Sequence, residues 1–145
     1  MGEDGFLAML RKATLTNLAT LESLEVLWNP EAYWVRRTRR PAAPGVSGSG
    51  GAFGAPANAT RERFSTRLFF DTTELERPAR DSRLQVERLE SWARPEPSSG
   101  APPEVLFSWG SFRFRGAIED LSEEWVLFDP DGTPTRGWVG LTLRR

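Results

Sequence analysis

The sequence predicts a mainly β (α+β) fold with one flanking helix. Three observations predict it. Period-2 alternation of apolar and polar residues recurs along the chain, only one segment carries helical periodicity, and turn residues separate most of the alternating runs. A purely parallel α/β arrangement needs a helix between most strands, and there is no room for them here.

The elements follow in order. Residues 9–18 (MLRKATLTNL) read as a strand with Ala13, Leu15 and Asn17 on one face. Residues 22–28 (ESLEVLW) form a second, with Leu24, Val26 and Trp28 on one face. Asn29-Pro30 ends it, because proline cannot donate to a ladder and restricts the residue before it. Residues 32–38 are extended again. Residues 40–59 (RPAAPGVSGSGGAFGAPANA) are rich in Gly, Pro, Ala and Ser and lack any period, which predicts a long flexible loop. The segment fits neither G-x-G-x-x-G nor the P-loop, so it makes no phosphate cradle.

Residues 63–72 (RFSTRLFFDT) read as a strand. Phe64, Thr66, Leu68 and Phe70 share one face; Ser65, Arg67 and Phe69 share the other. Pro78 sits where a first helical turn accepts it, and Leu84, Val86, Leu89 and Trp92 fall on one arc of a helix over 79–93. Pro95 ends the helix. Strands follow at 104–109, 112–119, 124–128 and 135–144. Phe112, Phe114, Gly116 and Ile118 point inward on the second of these, and Val139, Leu141 and Leu143 on the last. Seven or eight strands and one helix in 145 residues suit a single domain, 1–145.

Composition narrows the function. The absence of Cys and His removes disulfides, thiolate nucleophiles, Cys/His zinc sites and His-based triads. A net charge of −1 gives no global pull toward nucleic acid or an anionic membrane. All basic residues but Lys12 are arginines, which suit bidentate ion pairs and aromatic stacking, although a biased genome composition produces the same skew. The N-terminus has no secretory signal and no run approaches a membrane span, so synthesis and assembly in the cytoplasm are expected.

Residues 125–138, WVLFDPDGTPTRGW, pose a choice. Asp129 as nucleophile and Asp131 as general acid would make a phosphatase loop. That chemistry needs a lysine and further carboxylates downstream, and the thirteen residues after Gly132 contain no Lys, Asp or Glu. A Ca²⁺ loop wants a Glu where Trp138 stands. A hairpin turn with Gly132 at positive φ needs nothing further.

Two other clusters have plain readings. Phe112 and Phe114 point away from Arg113 and Arg115, so the strand is no nucleic-acid stacking platform. Glu119, Asp120, Glu123 and Glu124 read as a charged bend between two strands. Trp28, Trp34, Trp109, Trp125 and Trp138 exceed what the core needs and are candidates for interface anchors.

Four segments together carry a resemblance: LWNPEAYWV (27–35), LFFDTTE (68–74), VLFSWGSFRFRGAIEDL (105–121) and FDPDGTPTRGWVGLTL (128–143). In order and spacing they resemble the tube-like domain of contractile injection system tube and baseplate-hub proteins of phage-tail-like particles. The resemblance implies a tail-tube-like antiparallel β-barrel or sandwich with one flanking helix. It implies a structural protein, not an enzyme, with no catalytic residues, cofactor or metal. Six copies would form a ring joining the inner tube to the baseplate hub or spike, as tube initiator or adaptor. Its partners would be itself, the inner tube protein, the spike or hub and other baseplate proteins, with no specific nucleic acid and no membrane insertion. The finished particle is of a kind that can be released from the cell. Members often carry a C-terminal LysM module, and none is seen up to Arg145. Motif position marks Asn29, Pro30, Trp109, Phe112, Arg113 and Arg115 as assembly-interface candidates. The alternative is a stand-alone β-barrel binding module for a small ligand or RNA.

Overall fold

A computed structural model describes residues 10–39 and 60–145. The expected loop at 40–59 lies outside the described residues. The described residues form seven strands and one helix: β1 (Thr14–Asn17), β2 (Ser23–Glu25), β3 (Tyr33–Arg39), β4 (Thr60–Asp71), α1 (Arg83–Trp92), β5 (Val105–Trp109), β6 (Phe112–Phe128) and β7 (Pro134–Arg144). They form one antiparallel sheet in the order β2-β1-β5-β6-β7-β4-β3.

The sheet folds over itself. In sheet order β5 and β4 are three strand spacings apart, roughly 14 Å if flat. Yet the rings of Phe107 on β5 and Phe64 on β4 lie 4.5 Å apart, and Phe64 stacks 5.5 Å from Phe114 on β6. β6 makes the fold possible: Phe112 to Gly116 pair with β5, and Ala117 to Phe128 pair with β7. The mainly β expectation and its sandwich option hold. The barrel option is corrected, because β2 and β3 are two edges and do not pair with each other.

The core is the inward row of each strand. Ala13, Leu15, Phe64, Leu68, Phe70, Phe107, Phe114, Val139, Leu141 and Leu143 are all buried. Each large side chain here contributes about 1.5–3 kcal/mol by leaving water. Alternation put these residues on the inward face because a pleated strand sends successive side chains to opposite sides.

Helix α1 buries Val86, Leu89 and Trp92. Leu84 is exposed, contrary to expectation, because it falls outside the arc that those three define. The helix also starts later than 79. The Arg80 and Asp81 N–H groups already donate to Glu76 and Pro78 carbonyls in a turn, and the Thr72 hydroxyl bonds the Arg80 carbonyl and the Ser82 hydroxyl. Pro78 therefore belongs to this turn and not to a first helical turn. The helix end is fixed by Trp92, whose indole donates to Glu22 at 2.7 Å.

Two further expectations change. The alternation sets Trp28 on one face with Leu24 and Val26, but β2 ends at Glu25 and, while those two are buried, Trp28 is 55% exposed. The acidic stretch 119–124 is no bend. It lies within the single 17-residue strand β6, where an irregularity between Ile118 and Asp120 takes up the change of register against β7.

Candidate functional site

Four of the six expected assembly residues gather around one point. Asn29 Oδ1 accepts the Ala13 N–H at 2.9 Å, and its Nδ2 donates to the Arg11 carbonyl at 2.8 Å. The Trp109 indole donates to the same carbonyl at 3.1 Å. Pro30 is buried beside Asn29. Phe112 packs 4.4 Å from Tyr33, whose ring lies 6.4 Å from Trp109. This cluster fastens the lead into β1 against β3 and the β5–β6 turn. Arg113 and Arg115 stand apart on the outward side of β6. Arg113 Nη1 donates to the Gly110 and Phe112 carbonyls, and Arg115 pairs with Glu104 at 2.8 Å.

The Asp129–Asp131 pair is structural. The Asp129 N–H donates to the Thr133 carbonyl and the Gly132 N–H to the Asp129 carbonyl, with Gly132 at φ 89° closing the β6–β7 turn. Arg80 grips Asp129 bidentately, and Arg77 and the Thr133 N–H hold Asp131. The Arg80 hydrogen bonds keep the Asp129 carboxyl below the usual carboxylate range. The Thr133 N–H and hydroxyl, helped by Arg77, bring Asp131 down to about 2. A group with that pKa carries no proton at neutral pH and cannot serve as a general acid there. The DTT and DPDGT motifs thus meet as one anchoring point: Thr72, Ser82 and Thr135 are buried beside it, and Asp71 accepts from Thr73 and Arg136. Among the described residues no group of three or more acidic side chains is arranged to hold a metal ion. No helix among them is long and apolar enough to cross a membrane.

The outward face of β3, β4 and β7 carries a groove of about 620 Å³. Trp28, Pro30, Trp34, Arg67, Phe69 and Trp138 line it. Arg67 sits 5.3 Å above the Trp138 ring, and Phe69, also on β4, lies 5.1 Å from it. The register explains the grouping: Phe69 is opposite Trp138, and Trp34 is opposite Ser65, all on the same outward row. The sequence offers Trp34 and Trp138 as surplus aromatics and candidate interface anchors without bringing them together. Their joint placement depends on strands that are far apart in the chain.

The two edges of the sheet differ. β2 has three residues, and Arg88 of α1 donates to the Ser23 carbonyl beside it. β3 has seven residues in unbroken register with β4 and, among the described residues, no strand on its other side.

A family model described as contractile injection system tube protein matches residues 8–145, nearly the whole chain. The chain belongs to this family. Its role is therefore that of a structural component of a contractile injection system. A comparison with curated proteins returns no match. The match spans both halves of the folded sheet, the helix and the Asp129 turn, so the fold described above is that of a tube-protein family member from β1 to β7.

Proposed function

We propose that this chain forms a ring of six copies that joins the inner tube to the baseplate hub or spike, as tube initiator or adaptor. The observation that carries the ring is the asymmetry of the sheet edges. A long open edge is a template for pairing with another chain, and natural monomers usually blunt or cover it. Here one edge has three residues and takes a hydrogen bond from Arg88 of α1, while β3 is open along seven residues among the described ones.

The charge on β3 sets the mode of pairing. Its sequence, YWVRRTR, carries Arg36, Arg37 and Arg39. Two β3 strands side by side would crowd their arginines, and facing like charges destabilise a strand pair. A two-fold contact through β3 is thus disfavoured, and head-to-tail contact with a different surface is favoured. Head-to-tail contacts close into rings when the rotation between copies permits. The adaptor role rests on the four motifs shared with tube and baseplate-hub proteins.

The test is electron microscopy of particles from a strain lacking this protein beside its parent. Loss of full-length tube-and-sheath particles, or tubes uncoupled from their spikes, is the expected result. Normal particles would overturn the role and favour a stand-alone binding module for a small ligand or RNA.

A further inference from the structure

The six tryptophans fall into two groups by what their indole N–H does. Trp92 donates to Glu22, Trp109 to the Arg11 carbonyl and Trp125 to Glu123. Trp28, Trp34 and Trp138 have no indole acceptor among the described residues, and these three line the outward groove. Trp28 and Trp34 are 55% and 58% exposed. Such rings offer flat apolar ridges with a spare donor at the rim.

That combination suits one kind of ligand. A polyproline II segment has no internal hydrogen bonds, so its carbonyls are available to indole donors while its proline rings lie between aromatic ridges. Arg67 and Phe69, neighbours on one face of β4, both pack against the Trp138 ring, which holds this wall of the groove in place. Two carboxylates border the groove. Asp71 is committed to Thr73 and Arg136, whereas Glu31 has no ion-pair partner among the described residues.

The sequence contains one Pro-x-x-Pro, Pro41-Ala42-Ala43-Pro44, and Arg39 and Arg40 precede it. To enter the groove of its own chain the segment would have to double straight back along β3. Trp34 lies five residues back along β3 from Arg39, about 17 Å at the strand rise. Pro41 is two residues beyond Arg39 and reaches at most about 7 Å from it. We propose that the Trp28–Trp34–Trp138 groove docks the 41–44 segment of a second copy of this chain, with the preceding arginines facing Glu31. The proposal rests on the ring-assembly reading for its setting and names one contact between copies.

The experiment is a titration of the full-length ¹⁵N-labelled protein with a synthetic peptide of residues 36–47 (RRTRRPAAPGVS), following the six indole N–H resonances. Saturable shifts of Trp28, Trp34 and Trp138, with Trp92 still, are expected. Trp34→Ala, at an exposed site, should weaken binding about tenfold, as should replacing both prolines of the peptide by alanine. No saturable shift would overturn the proposal. So would equal binding of the proline-free peptide, which would mean that arginine charge alone attracts it. Saturation of the same indoles by a hexose oligomer but not by the peptide would assign the groove to carbohydrate and equally overturn it. The titration reads the groove in a single soluble chain, so it can fail while ring assembly stands, and it can succeed where particle microscopy denies the ring.

Discussion

Arg80 holds Asp129 through two parallel hydrogen bonds, Nε to Oδ2 at 2.7 Å and Nη2 to Oδ1 at 2.8 Å. Forty-nine residues separate the pair in sequence. The bond ties the turn ahead of α1 to the tip of the β6–β7 hairpin. Two motifs of the chain, one ending β4 and one joining β6 to β7, are thereby a single structural unit.

The fork geometry should matter more than the charge. Lysine keeps the charge of Arg80 but offers no bidentate match to a carboxylate. Arg80→Lys and Asp129→Asn are both expected to lower the melting temperature measured by circular dichroism. The double variant should lose little more than the worse single one, since both remove the same contact. Fully additive losses would show that the two residues act independently.

The depressed carboxylates set a pH dependence. Hydrogen bonds from Thr73 and Arg136 lower the Asp71 pKa, those from Arg80 lower that of Asp129, and Asp131 reaches about 2. An aspartate whose folded pKa lies below its unfolded value of about 3.9 stabilises the fold above that value. The contribution is lost as pH falls toward the folded pKa. Melting temperature should therefore hold on the acid side down to about pH 4 and then drop steeply toward pH 2. Asp131→Asn should make the drop shallower; an unchanged profile would remove Asp131 from the account.

Two glycines on β7 should respond differently to the same change. A Cβ at Gly137 would stand 2.2 Å from the Glu124 carbonyl oxygen and 2.4 Å from the Trp125 ring. Neither can step aside, because one is ladder backbone and the other is wedged against Phe70, 6.2 Å between ring centres. A Cβ at Gly140 would meet only the Ser122 hydroxyl within 3 Å, at 2.5 Å, and that group can rotate away. Gly137→Ala should cost about 1–3 kcal/mol or more in urea unfolding, and Gly140→Ala clearly less. Equal costs would mean that β6 and β7 can part at Trp125.

The contrast between these strands and the rest shows what the sequence could reveal. β4 is legible from Arg63 onward because Phe64, Thr66, Leu68 and Phe70 keep one period and are all buried, whereas its exposed start at Thr60 and Arg61 carries no such signal. β6 was split in two because Glu119, Asp120, Glu123 and Glu124 look like a turn. Arg63, Arg67 and Arg144 on β4 and β7 face Glu119 and Glu124, which lets an acidic run stay extended. No local signal announces partners more than twenty residues away. The same holds for the helix start, which is set by Thr72 and Ser82, and for the groove, whose walls come from three separate segments. Asn29 and Trp109 were singled out by motif position, and the structure adds why: both bind the Arg11 carbonyl.

The open edge supplies the last expectation. Arg36 and Arg39 are exposed on β3 and have no ion-pair partner among the described residues, whereas Arg37 pairs with Glu62 at 3.5 Å. Replacing Arg36 and Arg39 by glutamate removes no buried contact, because both side chains are exposed. Exposed substitutions of this kind change stability by about 0.5 kcal/mol or less each. A head-to-tail contact through β3 would instead lose its charge complementarity and its register. The double variant should melt like the parent and fail to restore particles in the deletion strain, as counted by electron microscopy. Restoration at parental numbers, with the fold intact, would move the subunit contact away from β3.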